Sequence, residues 1–372
     1  MIPIKYTGDL TAYEEFCKRF KNLLSLILQR GYIGNRQRIT VIEAKRKVAT
    51  LTGNQKTLFT NNVGDRKGNW KALQDSYMVE APIEMLDDES TGVLQLLYDH
   101  FDEVVDADDA GMLKIIAHAK RIYKTLTNKD KVYENICKVV IGQGYEHRDF
   151  PRSELIKATK TKVCPYCNRV FVECIEGQQR EVKGQLDHFY PKEKYPYLAI
   201  SKYNLVPSCS HCNEASGKHN KDSRIEGLQN PFFIRDVNSM VFKADIRQRG
   251  FLNLKSMESA IDVGIDVSLN TGMTNNVRVF NLKELYNSHK DYVAEVYFKY
   301  MKMKSHAYRT FVKCMSQTSG NSKSLLIKQV SIEDWERLVL GVYNEPEEFS
   351  KRPLSKFVHD IFEGLDHGRK SL

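Results

Sequence analysis

Two Cys-x-x-Cys pairs, Cys164/Cys167 and Cys209/Cys212, stand 41 residues apart. No other feature restricts the fold of this chain as strongly. The two-residue spacing lets each pair turn back as a knuckle, with two thiolates converging on one ion. Four such sulfurs make a closed tetrahedral zinc site of the structural kind. The interval between the pairs is longer than a minimal zinc ribbon needs, so it must hold structure of its own. The other four cysteines, Cys17, Cys137, Cys174 and Cys314, are scattered without a framework spacing. The first residues, Met1 to Asp9, lack the apolar core of a signal peptide. Cysteines used this way point to metal ligation in a reducing cytoplasm rather than to disulfides.

Within the interval, Arg169 to Cys174 and Glu181 to Leu186 read as two strands joined by the loop at Gly177-Gln-Gln. That hairpin would deliver Asp187-His188 at its end. Tyr195 to Tyr203 reads as a loop or short helix, and Asn213 opens a helical segment directly after the last cysteine. Two strands, a crossover and a helix form a platform too small for a large core, which is where a metal staple makes physical sense.

The flanks differ in character. At 372 residues the chain is long for a single core. Residues 1–155 read as a mainly helical N-terminal domain: Tyr13 to Leu28, Val93 to Val105, Met112 to Leu126 and Val132 to Ile141 place apolar residues at three- and four-residue steps. Gly53 to Gly68 reads as a loop, and Asp149-Phe-Pro-Arg-Ser153 as a junction. Residues 156–235 form the cysteine module. In residues 236–372, alternating segments at Val241 to Ile246 and Ile261 to Ser268 suggest strands, followed by helices from Asn281 onward, over Tyr292 to Cys314, from a cap at Ser331, and over Leu354 to Leu365. The expected class is α+β, mainly helical, with the stapled module between a helical and a strand-then-helix region. No run of about 18 apolar residues occurs, so no membrane span is expected.

The residues inside the module carry a resemblance. The chain reads Cys-Pro-Tyr-Cys at Cys164 to Cys167, Leu-Asp-His-Phe-Tyr-Pro-Lys at Leu186 to Lys192, Tyr-Asn-Leu-Val-Pro at Tyr203 to Pro207, and Cys-Ser-His-Cys-Asn at Cys209 to Asn213. This order resembles the HNH endonuclease family with its ββα-metal fold, and more narrowly the HNH nucleases of bacterial anti-phage systems of the Septu and retron-associated types. It covers about 60 residues and is silent on the flanks. The resemblance implies that His188 is a general base, that Asp187 and Asn213 hold one catalytic Mg2+ or Mn2+, and that Asn204 fixes the loop orienting the base. A histidine suits the first role because its ordinary pKa lies near working pH. Oxygen donors suit the second, since Mg2+ keeps several waters and takes up a phosphate oxygen. Two departures from the family pattern stand out. Asn213 replaces the last histidine of many members, and Ser216 stands where a lysine often follows, with Lys218 the nearest base.

The formal charge of +9 suits a polyanionic partner. Residues 151–225 hold 13 Lys/Arg against 8 Asp/Glu, over half of that excess. Lys192, Lys218, His219 and Lys221 are the candidate nucleic-acid contacts. Tyr190, Tyr195, Tyr197 and Tyr203 could stack on bases, but packing of the small core is the favoured reading. Three functions are compatible with these residues: a DNA endonuclease of a defence system, with an ATPase partner implied by the resemblance; a zinc-stabilised nucleic-acid-binding protein that does not cut; and an RNA- or tRNA-directed nuclease. The adjacent metal ligand and base at Asp187 and His188 favour cutting, since binding alone requires neither.

Overall fold

The structure is a computed structural model, and it describes residues 1–38, 78–176, 181–182, 184–214, 217–246, 257–268, 272–306, 310 and 332–367. The loop read at Gly53 to Gly68 and the Gly177-Gln-Gln turn lie outside the described residues, as do Ser216, Cys314 and the cap at Ser331. The class is mixed α+β and mainly helical, as expected. The chain divides into two compact units, and neither is one continuous stretch. One comprises Cys17–Asp102 and Ala117–His147. The other comprises Met1–Phe16, Glu103–Ile116 and Arg148–Leu372.

The helical spacing of the N-terminal region produces α1 (Thr11–Arg30). A strand follows, β1 (Tyr32–Arg38), which pairs antiparallel with β2 (Met78–Met85) from Tyr32 opposite Met85 to Arg38 opposite Met78. The helical reading did not anticipate this hairpin. Its partners lie on either side of residues 39–77, and a pairing over that separation leaves no local period to read. Next come α2 (Asp88–Asp99), α3 (Phe101–Val105), α4 (Asp109–Thr125) and α5 (Lys129–Ile136). Asp87 caps α2 by accepting from the Ser90 amide, and Asn128 caps α5 by accepting from that of Lys131. Buried Asn135 donates to buried Ser90, so these two helices meet at a buried polar pair. The chain beyond α5 widens into a π-helix over Cys137–Tyr145.

The second unit carries the two Cys-x-x-Cys pairs. It contains α6 (Arg152–Ala158), the two-residue ladder of β3 (Ile175–Glu176) with β4 (Glu181–Val182), and then β5 (Gln185–His188), which pairs with β6 (Leu205–Ser208). The expected pairing therefore needs correction. Arg169 to Cys174 is not a strand apart from one bridge between Val163 and Phe171. The partner that holds Asp187 and His188 is β6, with Asp187 opposite Val206 and His188 opposite Leu205. Pro207 disguised that strand, because proline removes a ladder donor. A two-stranded ladder leaves each strand an open edge, where proline is tolerated. The helix expected to begin at Asn213 instead ends there, as the single turn α7 (Ser210–Asn213). A second short helix, α8 (Ser223–Glu226), follows.

Beyond the module, the two segments read as strands form β7 (Met240–Ile246) and β8 (Ile261–Val267), which pair antiparallel. They are followed by α9 (Met273–Val279), α10 (Leu282–Asn287), α11 (Lys290–Met303), α12 (Ile332–Leu340) and α13 (Ser355–His367). Phe242, Tyr286 and Phe357 meet with ring centroids 4.1–5.3 Å apart. They join strand and helices into a core that reaches the first knuckle, where the Tyr286 hydroxyl donates to the Cys167 carbonyl. Asn168 turns with φ of 51° and is held from the same side. Its side chain donates to Phe349 O (2.9 Å) and accepts from the Lys356 amide (3.1 Å).

Gly184 sets how closely β5 approaches the knuckle segment, because an added Cβ would lie 2.2 Å from Val172 O. Gly184→Ala is expected to cost about 1–3 kcal/mol as an overpacking substitution. Denaturant unfolding of the variant checks this.

Candidate metal centre and active site

The two knuckles close on each other. The first is shaped by backbone bonds from Asn168 N to Cys164 O (2.7 Å) and from Cys164 N to Val170 O (2.9 Å). In the second, Cys212 N and Asn213 N both donate to Cys209 O, and Lys218 N returns to Cys212 O at 2.9 Å. Gly217 makes that return possible, since a Cβ there would sit 2.4 Å from Cys212 O and 2.6 Å from His211 O. All four thiols are buried, and their sulfurs lie within 4.8 Å of one another. The Cys167 and Cys209 sulfurs are 3.8 Å apart. A tetrahedral ion with Zn–S bonds of about 2.3 Å requires sulfurs about 3.8 Å apart. The donor set therefore fits zinc in both chemistry and spacing. Without an ion the four thiols compete for charge: hydrogen bonds from the other three hold Cys209 far below the usual thiol range, while burial pushes Cys164 up. A cation among them favours the thiolate at every position.

Asp187 and His188 are adjacent on β5, so their side chains leave opposite faces. Asp187 is 3% exposed and points toward the knuckles. Its Oδ2 accepts from the Tyr166 hydroxyl at 2.7 Å, and its Oδ1 accepts from Lys218 Nζ at 3.1 Å. Tyr166 lies inside the first knuckle, and Lys218 follows the second. Burial and the Asp187 carboxylate both push the Tyr166 hydroxyl's pKa well up, so it remains a donor. A carboxylate has about four lone-pair sites, so these two bonds leave others available to a cation.

His188 points the other way, with Nε2 3.0 Å from Ala199 O. A carbonyl only accepts, so Nε2 carries the proton and the lone pair of the neutral ring lies on Nδ1. Burial lowers the ring's pKa from 6.5 to about 3, and the charges of Lys192, Lys218 and Arg152 push the same way. Asn204 holds the loop that supplies this carbonyl. It is fully buried, accepts from the Tyr190 amide (2.7 Å), and donates to Tyr190 O (3.1 Å) and Leu198 O (3.0 Å). Asn213, at the end of α7, donates to Gln185 Oε1 at 3.1 Å. Gln185 precedes Asp187 by two residues and shares its face of β5, so Asn213 and Asp187 lie toward the same side.

Of the basic candidates, Lys192 is half-buried near His188, while His219 and Lys221 are exposed. Lys221 donates to Gly217 O. Lys218 is not at the surface at all: it is 0% exposed, and its ammonium also donates to His188 O at 2.6 Å. A lysine locked in that way has no reach to a phosphate. Tyr190 and Tyr195 are buried, and Tyr203 packs against Phe232 and Phe233, which is the packing role expected for them. Sequence reasoning missed Tyr166 and the inward role of Lys218. The signal was faint: a tyrosine inside Cys-x-x-Cys, and a lysine after the glycine that closes the second knuckle. No helix among the described residues is long and apolar enough to cross a membrane.

Over 90 residues the chain is 38% identical to the Septu protein PtuB of Bacillus thuringiensis. The match covers 24% of this chain and 32% of that protein, so the chain spans about a third of the relative's length. No family model matches the chain, and no solved structure does.

Two outcomes are expected of the site. Metal analysis of purified protein should find one zinc per chain, with Cys209→Ser losing most of it and unfolding at lower temperature. The second concerns pH. Unfolded His188 takes up a proton near 6.5, whereas the folded ring does so only near 3. Unfolding therefore binds a proton in that window, and stability that is whole above 6.5 falls as the pH drops toward 3. Thermal unfolding between about pH 7.5 and 4.5 should show a smaller decline for His188→Gln than for the wild type.

Proposed function

We propose that the chain is a metal-dependent HNH endonuclease that hydrolyses phosphodiester bonds of DNA, acting in the cytoplasm as the effector of a bacterial anti-phage defence system. The observation that carries this reading is His188: a buried, neutral imidazole on the face of β5 turned away from the knuckles, with its proton committed to Ala199 O and its lone pair on Nδ1. That is the protonation state a general base needs. The 38% identity to a Septu protein over 90 residues supports the defence context.

In this reading His188 Nδ1 takes a proton from the attacking water, while the Nε2 bond to Ala199 O keeps the ring in place as charge builds on it. A ring with a pKa of about 3 is a weak base by itself. An anionic phosphate beside it raises its proton affinity, so substrate binding completes the base. Asn204 serves by fixing the loop that carries Ala199. Asp187 and Asn213, on one side of β5, would hold the Mg2+ or Mn2+ ion with hard oxygen donors. When bound, that ion neutralises charge developing on the leaving 3′-oxygen. The products are then a 5′-phosphate and a 3′-hydroxyl. Lys192, His219 and Lys221 remain the proposed phosphate contacts. A nuclease without sequence preference would also cut its host's DNA, so a partner must hold or license it. The family resemblance makes that partner an ATPase subunit.

Incubation with plasmid DNA and Mg2+, with and without a candidate ATPase partner, tests the reading. His188→Ala is expected to lose at least about 100-fold in rate, the usual contribution of a general base. Cleavage at the wild-type rate by that variant would remove His188 from the mechanism. Binding of DNA with no cutting under any metal condition would favour a zinc-stabilised binding protein, and preferential cutting of RNA would move the substrate to the other nucleic acid.

A further inference from the structure

The buried lysine after the second knuckle has no place in the reaction as described, and its surroundings are specific. Lys218 Nζ touches two consecutive residues of β5, Asp187 through Oδ1 at 3.1 Å and His188 through its carbonyl at 2.6 Å. Its own amide is tied to Cys212 O. Gly217 approaches Cys212 and His211 so closely that an added Cβ would lie 2.4 Å from Cys212 O. On the other side of the same carboxylate, Tyr166 donates to Oδ2 from inside the first knuckle, with its ring stacked on Phe280 at 4.3 Å.

From this we infer that Lys218 is a positioning residue: it transmits the geometry of the four-cysteine centre to the reacting strand by gripping Asp187 and the His188 backbone together. The inference rests on the proposed nuclease reading and deepens it. An ammonium that bridges a side-chain oxygen and the next residue's carbonyl fixes both the depth of Asp187 and the orientation of the peptide that carries His188. Each knuckle contributes one arm to the carboxylate, so closing the metal centre and setting the strand become one event. Burying an ion pair is costly unless each charge is fully hydrogen-bonded. Here two of the ammonium's three donors go to strand β5 and the side chain is fully buried. That is a use of lysine opposite to phosphate contact, the role its sequence context suggested.

The test compares Lys218→Met with the wild type in plasmid cleavage, zinc content and amide exchange. With zinc content and fold retained, kcat is expected to fall about 100-fold, the scale for a roughly 1 Å misplacement of reacting groups. KM for DNA and its salt dependence should stay unchanged, and the amides of His188 and Phe189 should exchange faster. A raised KM with a salt slope smaller by about one would make Lys218 a phosphate contact and overturn the inference. An unchanged kcat would overturn it too. Should Lys218→Met lose zinc or fail to fold, Tyr166→Phe loosens the other arm of the same clamp. It is expected to lower kcat with zinc and KM intact, and no effect on kcat would count against the clamp. If the wild type cuts no nucleic acid, the nuclease reading falls alone, and the exchange measurement still decides: unchanged protection of His188 and Phe189 in Lys218→Met would refute positioning.

Discussion

The module depends on four buried sulfurs held within 4.8 Å of one another. Thiols do not gather in this way for their own sake, since a set of buried, competing acids is poor packing. The arrangement makes sense as a complete coordination sphere, with four sulfurs spaced for a tetrahedral ion. Everything nearby is built onto that centre. Tyr286 anchors the first knuckle from the C-terminal region, Asn168 is gripped by residues at Phe349 and Lys356, and Gly217 folds the chain back beneath the second knuckle. The four-cysteine centre therefore joins chain segments far apart in sequence as well as closing a loop.

From that anchor the geometry runs outward in short steps. The knuckles present Tyr166 and Lys218 to the two oxygens of Asp187. Asp187 lies on a four-residue strand whose next residue is the proposed base, and the base is aimed by a carbonyl from a loop fixed by Asn204. None of these steps relies on a large apolar core. Hydrogen bonds at 2.6–3.1 Å do the positioning, in a region where burial makes an unmade bond costly. The same burial that orders His188 also lowers its proton affinity. This explains how a residue can be rigidly placed and still stay neutral.

Legibility followed chemistry more than secondary structure. The cysteine spacing foretold the convergence of Cys164, Cys167, Cys209 and Cys212, because two-residue knuckles have few geometries. The family pattern singled out Asn204, and the structure adds that it is buried and bonded to Tyr190 and Leu198. Strand pairing was not. Arg169 to Cys174 has the composition of a strand and is not one, while Leu205–Ser208 is a strand despite Pro207. In so short a ladder, what decides pairing is which segment the knuckles bring alongside β5. The β1–β2 hairpin escaped notice for a related reason, since its two halves meet across residues 39–77.

By itself, the sequence determined which four cysteines converge, the residue types around them, the α+β class and the helical faces of the flanks. These follow from local spacing and from the bonding preferences of individual side chains. Only the tertiary structure decided where Lys218 points. On sequence it counted as one more basic residue in a module with a local excess of positive charge. In the fold, the Gly217 turn drives it inward, and a buried carboxylate holds it there. Charge can be tallied along a chain, but whether a charge faces water or another residue is settled by the backbone path, and that path is set here by contacts between segments distant in sequence.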